Sequence, residues 1–115
     1  MDRDPRIFLE HILESVALIE QYTKGKTQEE FISSVDLQDR VVRRLEIIGE
    51  AVRHLSEALK ANYPDIPWKQ IAGMRDVLIH EYFGIDLPLT WEAATCDILK
   101  LKRKISEIKM DLDNK

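Results

Sequence analysis

The chain has 115 residues, 44% hydrophobic and 33% charged, a balance that fits one globular domain with one core and excludes disordered or membrane-dominated classes. Its formal net charge of −4 argues against a general nucleic-acid binder, so any nucleic acid must meet a local basic patch. A single cysteine allows no intrachain disulfide, no apolar run approaches the roughly 20 residues of a membrane span, and Met1-Asp2-Arg3-Asp4-Pro5 carries no apolar leader, so a cytoplasmic setting away from membranes is expected.

Asp4 and Pro5 open a first helix, expected over 5–22, because aspartate is a favoured N-cap and proline suits the first turn. Phe8, Ile12, Val16 and Ile19 form one stripe, widened by Leu9, Leu13 and Ala17; His11 lies off it and reads as a surface histidine. Gly25 is a left-handed stop signal, and Thr27-Gln28-Glu29-Glu30 has capping-box form, which predicts a short helix through Phe31 and Ile32. Ser33-Ser34-Val35-Asp36 is a junction with several N-cap candidates. A long second helix is expected over 36–62, on a seam of Val41, Leu45, Ile48, Val52, Leu55 and Leu59. Gly49 inside it costs about 1 kcal/mol relative to alanine, which predicts close approach of another helix or chain. Arg40, Arg43, Arg44 and Arg53 share this helix with Asp39, Glu46, Glu50 and Glu57. They read either as a solvated, partly paired face or as a local RNA-contacting patch. His54 reads as structural or exposed.

Tyr63-Pro64-Asp65-Ile66-Pro67 interrupts the pattern, because proline disfavours helix in the residue before it. A third helix is expected from Pro67 or Trp68 to Tyr82 or Phe83, ended by Gly84. After a break over 86–90, with Pro88 near a helix start, a fourth is expected over 91–112 on Trp91, Ala94, Ile98, Leu101, Ile105, Ile108 and Leu112. Cys96 reads as a small semi-buried residue. Amphipathic helices joined by short breaks can bury their stripes only against one another. The expected fold is therefore all-α: an up-and-down four-helix bundle with an additional short helix, one domain over residues 1–115. The seams of the second and fourth helices look longer than one chain can cover, which predicts a homodimer.

Gly-rich phosphate loops, paired-cysteine spacings, His-Glu-x-x-His and nucleophile elbows are missing, and His11, His54 and His80 lack zinc-ligand spacing, so neither metal nor cofactor is expected. What remains lies in the third helix. Ile71, Leu78 and Tyr82 make a stripe into which Arg75 falls; a guanidinium there should reach an anion or line a cleft. Asp76 and His80 are four apart, so on a helix the carboxylate can orient the imidazole. At about 100° per residue, Arg75 and Tyr82 nearly eclipse while His80 lies about 140° from Arg75. Long side chains wrapping a cleft, or two copies of the helix across a twofold axis, would reunite them. These residue types suit metal-free scission of RNA. Histidine takes the proton of a ribose 2′-hydroxyl and arginine stabilises charge developing on the phosphorus oxygens, which predicts a cyclic-phosphate product and no action on DNA. They equally suit a buried structural network, with Tyr82 an ordinary packed aromatic.

The spelling Arg75-x4-His80-x-Tyr82 resembles the signature of HEPN-domain proteins. The wording Ile66-Pro67-Trp68 through Ala72-Gly73-Met74-Arg75-Asp76 to Ile85-Asp86, with Leu45-Glu46-Ile47-Ile48-Gly49-Glu50-Ala51 in the second helix, is similar more narrowly to the HepT toxin family. The likeness covers nearly the whole chain. It implies a HEPN-like helical bundle that dimerises with the motif at the dimer cleft. It also implies a metal-independent endoribonuclease toxin, with Arg75 and His80 catalytic and Asp76 in the usual polar position beside the arginine. The partner it implies is an MntA-like minimal nucleotidyltransferase antitoxin that adds AMP to Tyr82. The alternative is a non-catalytic HEPN module that binds a nucleotidyltransferase or a nucleotide.

Overall fold

The Asp4 carboxylate accepts the Arg6 backbone N–H at 3.0 Å and Pro5 takes the first helical position, so α1 (Pro5–Thr23) starts where the cap chemistry places it. The computed structural model describes residues 4–80 and 84–114, with Val77 and His80 described by their backbone. Gly25 turns the chain at a φ of 72°, the left-handed region that favours glycine. Thr27 then caps α2 (Gln28–Ile32) with both halves of the capping box in place. Ser34 caps α3 (Val35–His54) through its Oγ. From α3, Gln38 donates Nε2 to the Phe31 and Ile32 carbonyls, both at 3.0 Å, and so satisfies acceptors left over at the end of α2.

The second helix is shorter than its seam predicts. It ends at His54; Leu55 is extended and buried, and Ser56 caps a separate short helix, α4 (Glu57–Ala61), by accepting the Leu59 N–H at 3.1 Å. The apolar repeat runs through the break because Leu55 keeps its place in the core while the backbone leaves the helix. Serine supplies the competing interaction, a side-chain oxygen better satisfied at an N-cap than inside a helix.

The third helix departs further from expectation. Trp68 donates Nε1 to the carbonyls of Lys60 and Tyr63, each at 3.1 Å, and opens α5 (Trp68–Ala72). Gly73 breaks the helical path, and α6 (Met74–Leu78) follows as a separate short helix. The chain is then extended: β1 (Ile79–His80) pairs antiparallel with β2 (Gly84–Ile85), Ile79 opposite Ile85 and His80 opposite Gly84. Asp86 N–H to the Leu78 carbonyl, 2.7 Å, closes the base of this pair, and Gly84 sits at a φ of 77°. Arg75 and Asp76 are therefore helical and His80 is not. The helical angle expected between Arg75 and His80, and the i,i+4 relation of Asp76 to His80, do not apply, and the part of the expected helix that reaches Tyr82 lies outside the described residues.

The fourth helix begins four residues before Trp91. Asp86 caps α7 (Leu87–Glu92) through the Leu89 N–H, and a π-helical turn (Ala93–Asp97) joins it to α8 (Ile98–Asp113). The wider turn directs Ala93 and Ala94 inward and leaves Cys96 exposed rather than semi-buried.

The fold is all-α, as expected. Leu9, Ile12, Val16 and Ile19 of α1 meet Val41, Leu45, Ile48 and Val52 of α3 and Ile98, Ile105 and Ile108 of α8 in one core. The interrupted pair α5–α6 is the short fourth member and packs on α3. Both long seams are covered almost entirely within one chain, so they give no separate argument for a dimer. Among the described residues no helix is long and apolar enough to cross a membrane.

The loop that leads into α5 is tied to α8. Lys104 Nζ donates to Asp65 at 2.6 Å, and that hydrogen bond holds the Asp65 carboxyl below its ordinary value. A lowered folded pKa contributes stability above the unfolded value of about 3.9, and the contribution disappears as pH falls through the folded value. Asp65→Asn should therefore lower the melting temperature slightly at neutral pH, and the gap to wild type should close in acid; paired thermal melts check this. Both side chains are about half exposed, so the effect is small.

Candidate functional site

Gly49 decides where Arg75 stands. A Cβ built there would lie 3.1 Å from the Ile71 carbonyl oxygen and 3.3 Å from that of Ala72, so only glycine lets α5 sit this close to α3. This is the close approach its place in the helix predicts. With α5 seated there, the turn at Gly73 brings Arg75 beside Glu46, one turn before Gly49 on α3. Arg75 donates Nε to Glu46 Oε2 at 3.2 Å, and its side chain stays 58% exposed. An exposed pair of this kind contributes about 0–1 kcal/mol. Its consequence is orientation more than stability. Among the described residues, the terminal guanidinium nitrogens of Arg75 make no hydrogen bond.

The arginine thus does both things its place on an apolar stripe predicts. It reaches an anion and it lines a cleft. The cleft is an open groove of about 530 Å³ between α1 and α3, edged by α5 and α6. Arg43 and Arg53 line it with Arg75, and so do Glu46 and Glu50. The two other arginines of the expected patch lie elsewhere. Arg40 pairs with Asp36 at 3.3 Å, sits over the Tyr22 ring, and lines a second hollow near α2. Arg44 is half-buried and lines neither. Asp76 is exposed on α6. Among the described residues no group of three or more His, Cys, Asp or Glu side chains could hold a metal ion.

The family described as Ribonuclease HepT-like matches residues 12–108. The chain belongs to the HepT-like ribonuclease family. It is 40% identical over 109 residues to "Probable ribonuclease HepT" of Thermococcus cleftensis, a match covering 95% of this chain and 99% of that protein. A Methanocaldococcus jannaschii protein named "putative RNase" is 43% identical over 98% of this chain and 93% of its own length. A second protein of that organism, named "Gamma-glutamylcyclotransferase and putative RNase", is 54% identical over 113 residues. The chain spans about half of that longer relative, 51%. No solved structure matches the chain.

For this HepT-like ribonuclease, the structure sets Arg75, Arg43 and Arg53 around one groove and leaves Arg40 and Arg44 out of it. It places the His80 backbone on the short strand just past α6. Tyr82 lies outside the described residues. The groove also holds residues that sequence reasoning left aside: His11 and Phe8 from α1, and Glu46 and His54 from α3. His54 stacks on Phe8, ring centroids 5.1 Å apart and planes 12° from parallel, and its Nε2 stands 3.3 Å from Glu50 Oε1. The i,i+4 spacing of Glu50 and His54 was a readable signal. The contact with Phe8 was not, because it depends on how α1 docks against α3.

Proposed function

We propose that this ribonuclease is a metal-independent endoribonuclease toxin that cleaves RNA through attack of a ribose 2′-hydroxyl, with Arg75 and His80 as the catalytic pair. The observation that carries it is the setting of Arg75: half-exposed on the rim of a groove, anchored through Nε to Glu46, with two further arginines alongside. An arginine anchored this way presents its outer edge to a phosphate without first having to be ordered. In the reaction, His80 removes the 2′-hydroxyl proton. The 2′-oxygen bonds to phosphorus, the bond to the 5′-oxygen of the next nucleotide breaks, and that oxygen takes up a proton as it leaves. Arg75 stabilises the added negative charge on the non-bridging oxygens. Asp76, next to Arg75, supports the pair. Purified protein should cleave RNA in excess EDTA to 2′,3′-cyclic phosphate ends and leave an all-deoxy oligomer intact. Activity lost in EDTA and restored by a divalent ion would overturn this mechanism.

The functional unit in this reading is a homodimer in the cytoplasm, with Arg75 of one chain meeting His80 of the other. The support for it is the resemblance to HEPN proteins and the open groove beside Arg75. The neutralising partner is a minimal nucleotidyltransferase antitoxin of the MntA kind. It modifies Tyr82: the phenolic oxygen attacks the α-phosphorus of ATP, an O–P bond forms, and pyrophosphate leaves. A nucleotide and a negative phosphodiester beside Arg75 would occupy the groove and repel RNA. Incubation with partner and ATP should add the mass of AMP, and Tyr82→Phe should remain unmodified; an adduct retained in Tyr82→Phe places the modification elsewhere.

A further inference from the structure

His54 is the last residue of α3, and its ring is fixed in two ways. Phe8 lies parallel beneath it at 5.1 Å, and Glu50 faces its Nε2 at 3.3 Å. Phe8 is only 8% exposed, whereas the His54 side chain is 56% exposed. A buried ring thus pre-orients an exposed one. Core packing does not account for the arrangement, since a ring left this open withdraws little area from water. His54 shares its groove with Arg43, Arg53 and Arg75. The Arg53–Glu50 contact is long and exposed, 3.8 Å, so a phosphate can replace the carboxylate with little loss. A fixed flat ring among guanidiniums matches what a single strand of nucleic acid requires, a stacking surface for a base beside cations for its phosphates.

Resting on the ribonuclease reading, we infer that the outer face of His54 is a stacking platform for one base of the bound single-stranded RNA, with Arg43 and Arg53 meeting the phosphates beside it. The groove's own carboxylates, Glu46 and Glu50, oppose general attraction of polyanions. Stacking therefore carries a large share of the affinity, and the salt dependence is shallow: with three phosphates met by Arg75, Arg43 and Arg53, log K falls with log salt at a slope of about −2. Purines, with the larger π-face, bind better than pyrimidines.

The His80→Ala chain, expected on the proposed mechanism to bind without cutting, tests this against labelled oligo(A) and oligo(U) of about eight nucleotides by fluorescence anisotropy. Adding His54→Ala should raise the Kd for oligo(A) about 5- to 100-fold and that for oligo(U) distinctly less, and His54→Tyr should restore the preference for A. Circular dichroism of each variant checks that the helical fold is kept, and the tyrosine variant keeps a ring over Phe8. Equal losses on both oligomers, no loss on either, or no rescue by tyrosine would overturn the platform. RNA cleavage by wild type that persists undiminished in His54→Ala rejects the platform alone. A wild-type protein that neither binds nor cleaves RNA rejects the ribonuclease reading with it.

Discussion

Arg75→Ala should lower kcat for RNA cleavage about 100- to 1000-fold, the usual cost of removing one donor aimed at charge that develops in the transition state. KM should change much less, because Arg43 and Arg53 remain in the groove. The fold should survive. The Arg75 side chain is 58% exposed, and its contact with Glu46 is worth about 0–1 kcal/mol. Arg75→Lys separates charge from shape. Lysine keeps the positive charge but has neither Nε to hold Glu46 nor a planar fork to span two phosphate oxygens, so activity should recover only in part. Kinetics on a defined oligomer, with matched melting temperatures, checks each step. A variant as active as wild type would remove Arg75 from the reaction.

The same variants test the assembly. If Arg75 of one chain serves His80 of the other, mixing Arg75→Ala with His80→Ala protein builds mixed dimers with one intact site and one doubly mutant site. About a quarter of wild-type activity should return after exchange of chains. If each site lies within one chain, mixing restores nothing. This test now carries the dimer, because the structure removes two arguments the sequence offered for it. The long seams are covered within the chain, and His80 stands beyond the end of the helix whose angles seemed to require a second copy.

Most of the bundle was legible because α1, α3 and α8 are long enough for their apolar period to repeat several times. Helix starts were legible where one residue stood alone as the cap, as Asp4 and Thr27 do, whereas the junction over 33–36 offered several caps and only the structure selects Ser34. The errors cluster where local chemistry competes with a continuing apolar repeat. Leu55 stays buried while Ser56 stops the helix. Gly73 interrupts what Ile71 and Leu78 suggest is one rod, and the rod stops at Leu78, with Gly84 in a strand pair rather than at a C-cap. For the site, the motif pointed to Arg75, and Gly49 flagged the close approach that seats it. Glu46 and the Phe8–His54 stack could not be read, because both join helices far apart in sequence and depend on docking geometry. A seven-residue repeat says that two faces meet but leaves open which polar residues flank the seam on each side.

Gly49→Val should be a damaging change on the buried face of α3. Even the Cβ of alanine would lie 3.1 Å and 3.3 Å from two carbonyl oxygens of α5, which are backbone atoms and cannot swing aside. Alanine regains about 1 kcal/mol of helix propensity, so that variant should lose only about 1 kcal/mol net. Valine adds two methyl groups in the same crowded direction and is a poorer helix former, so its loss should reach about 3 kcal/mol, readable in urea denaturation. The informative quantity is activity at full folding. α5 can relieve the contact only by moving away from α3, and it carries Gly73 and Arg75 with it. A displacement of about 1 Å at a catalytic group is enough to cost about 100-fold in rate. Gly49→Ala should therefore lose far more cleavage than stability, and the loss should fall on kcat. If Gly49→Ala is destabilised yet cleaves RNA at the wild-type rate, then Arg75 does not depend on the α3–α5 contact for its position. Arg75 would then have to be held by its contact with Glu46.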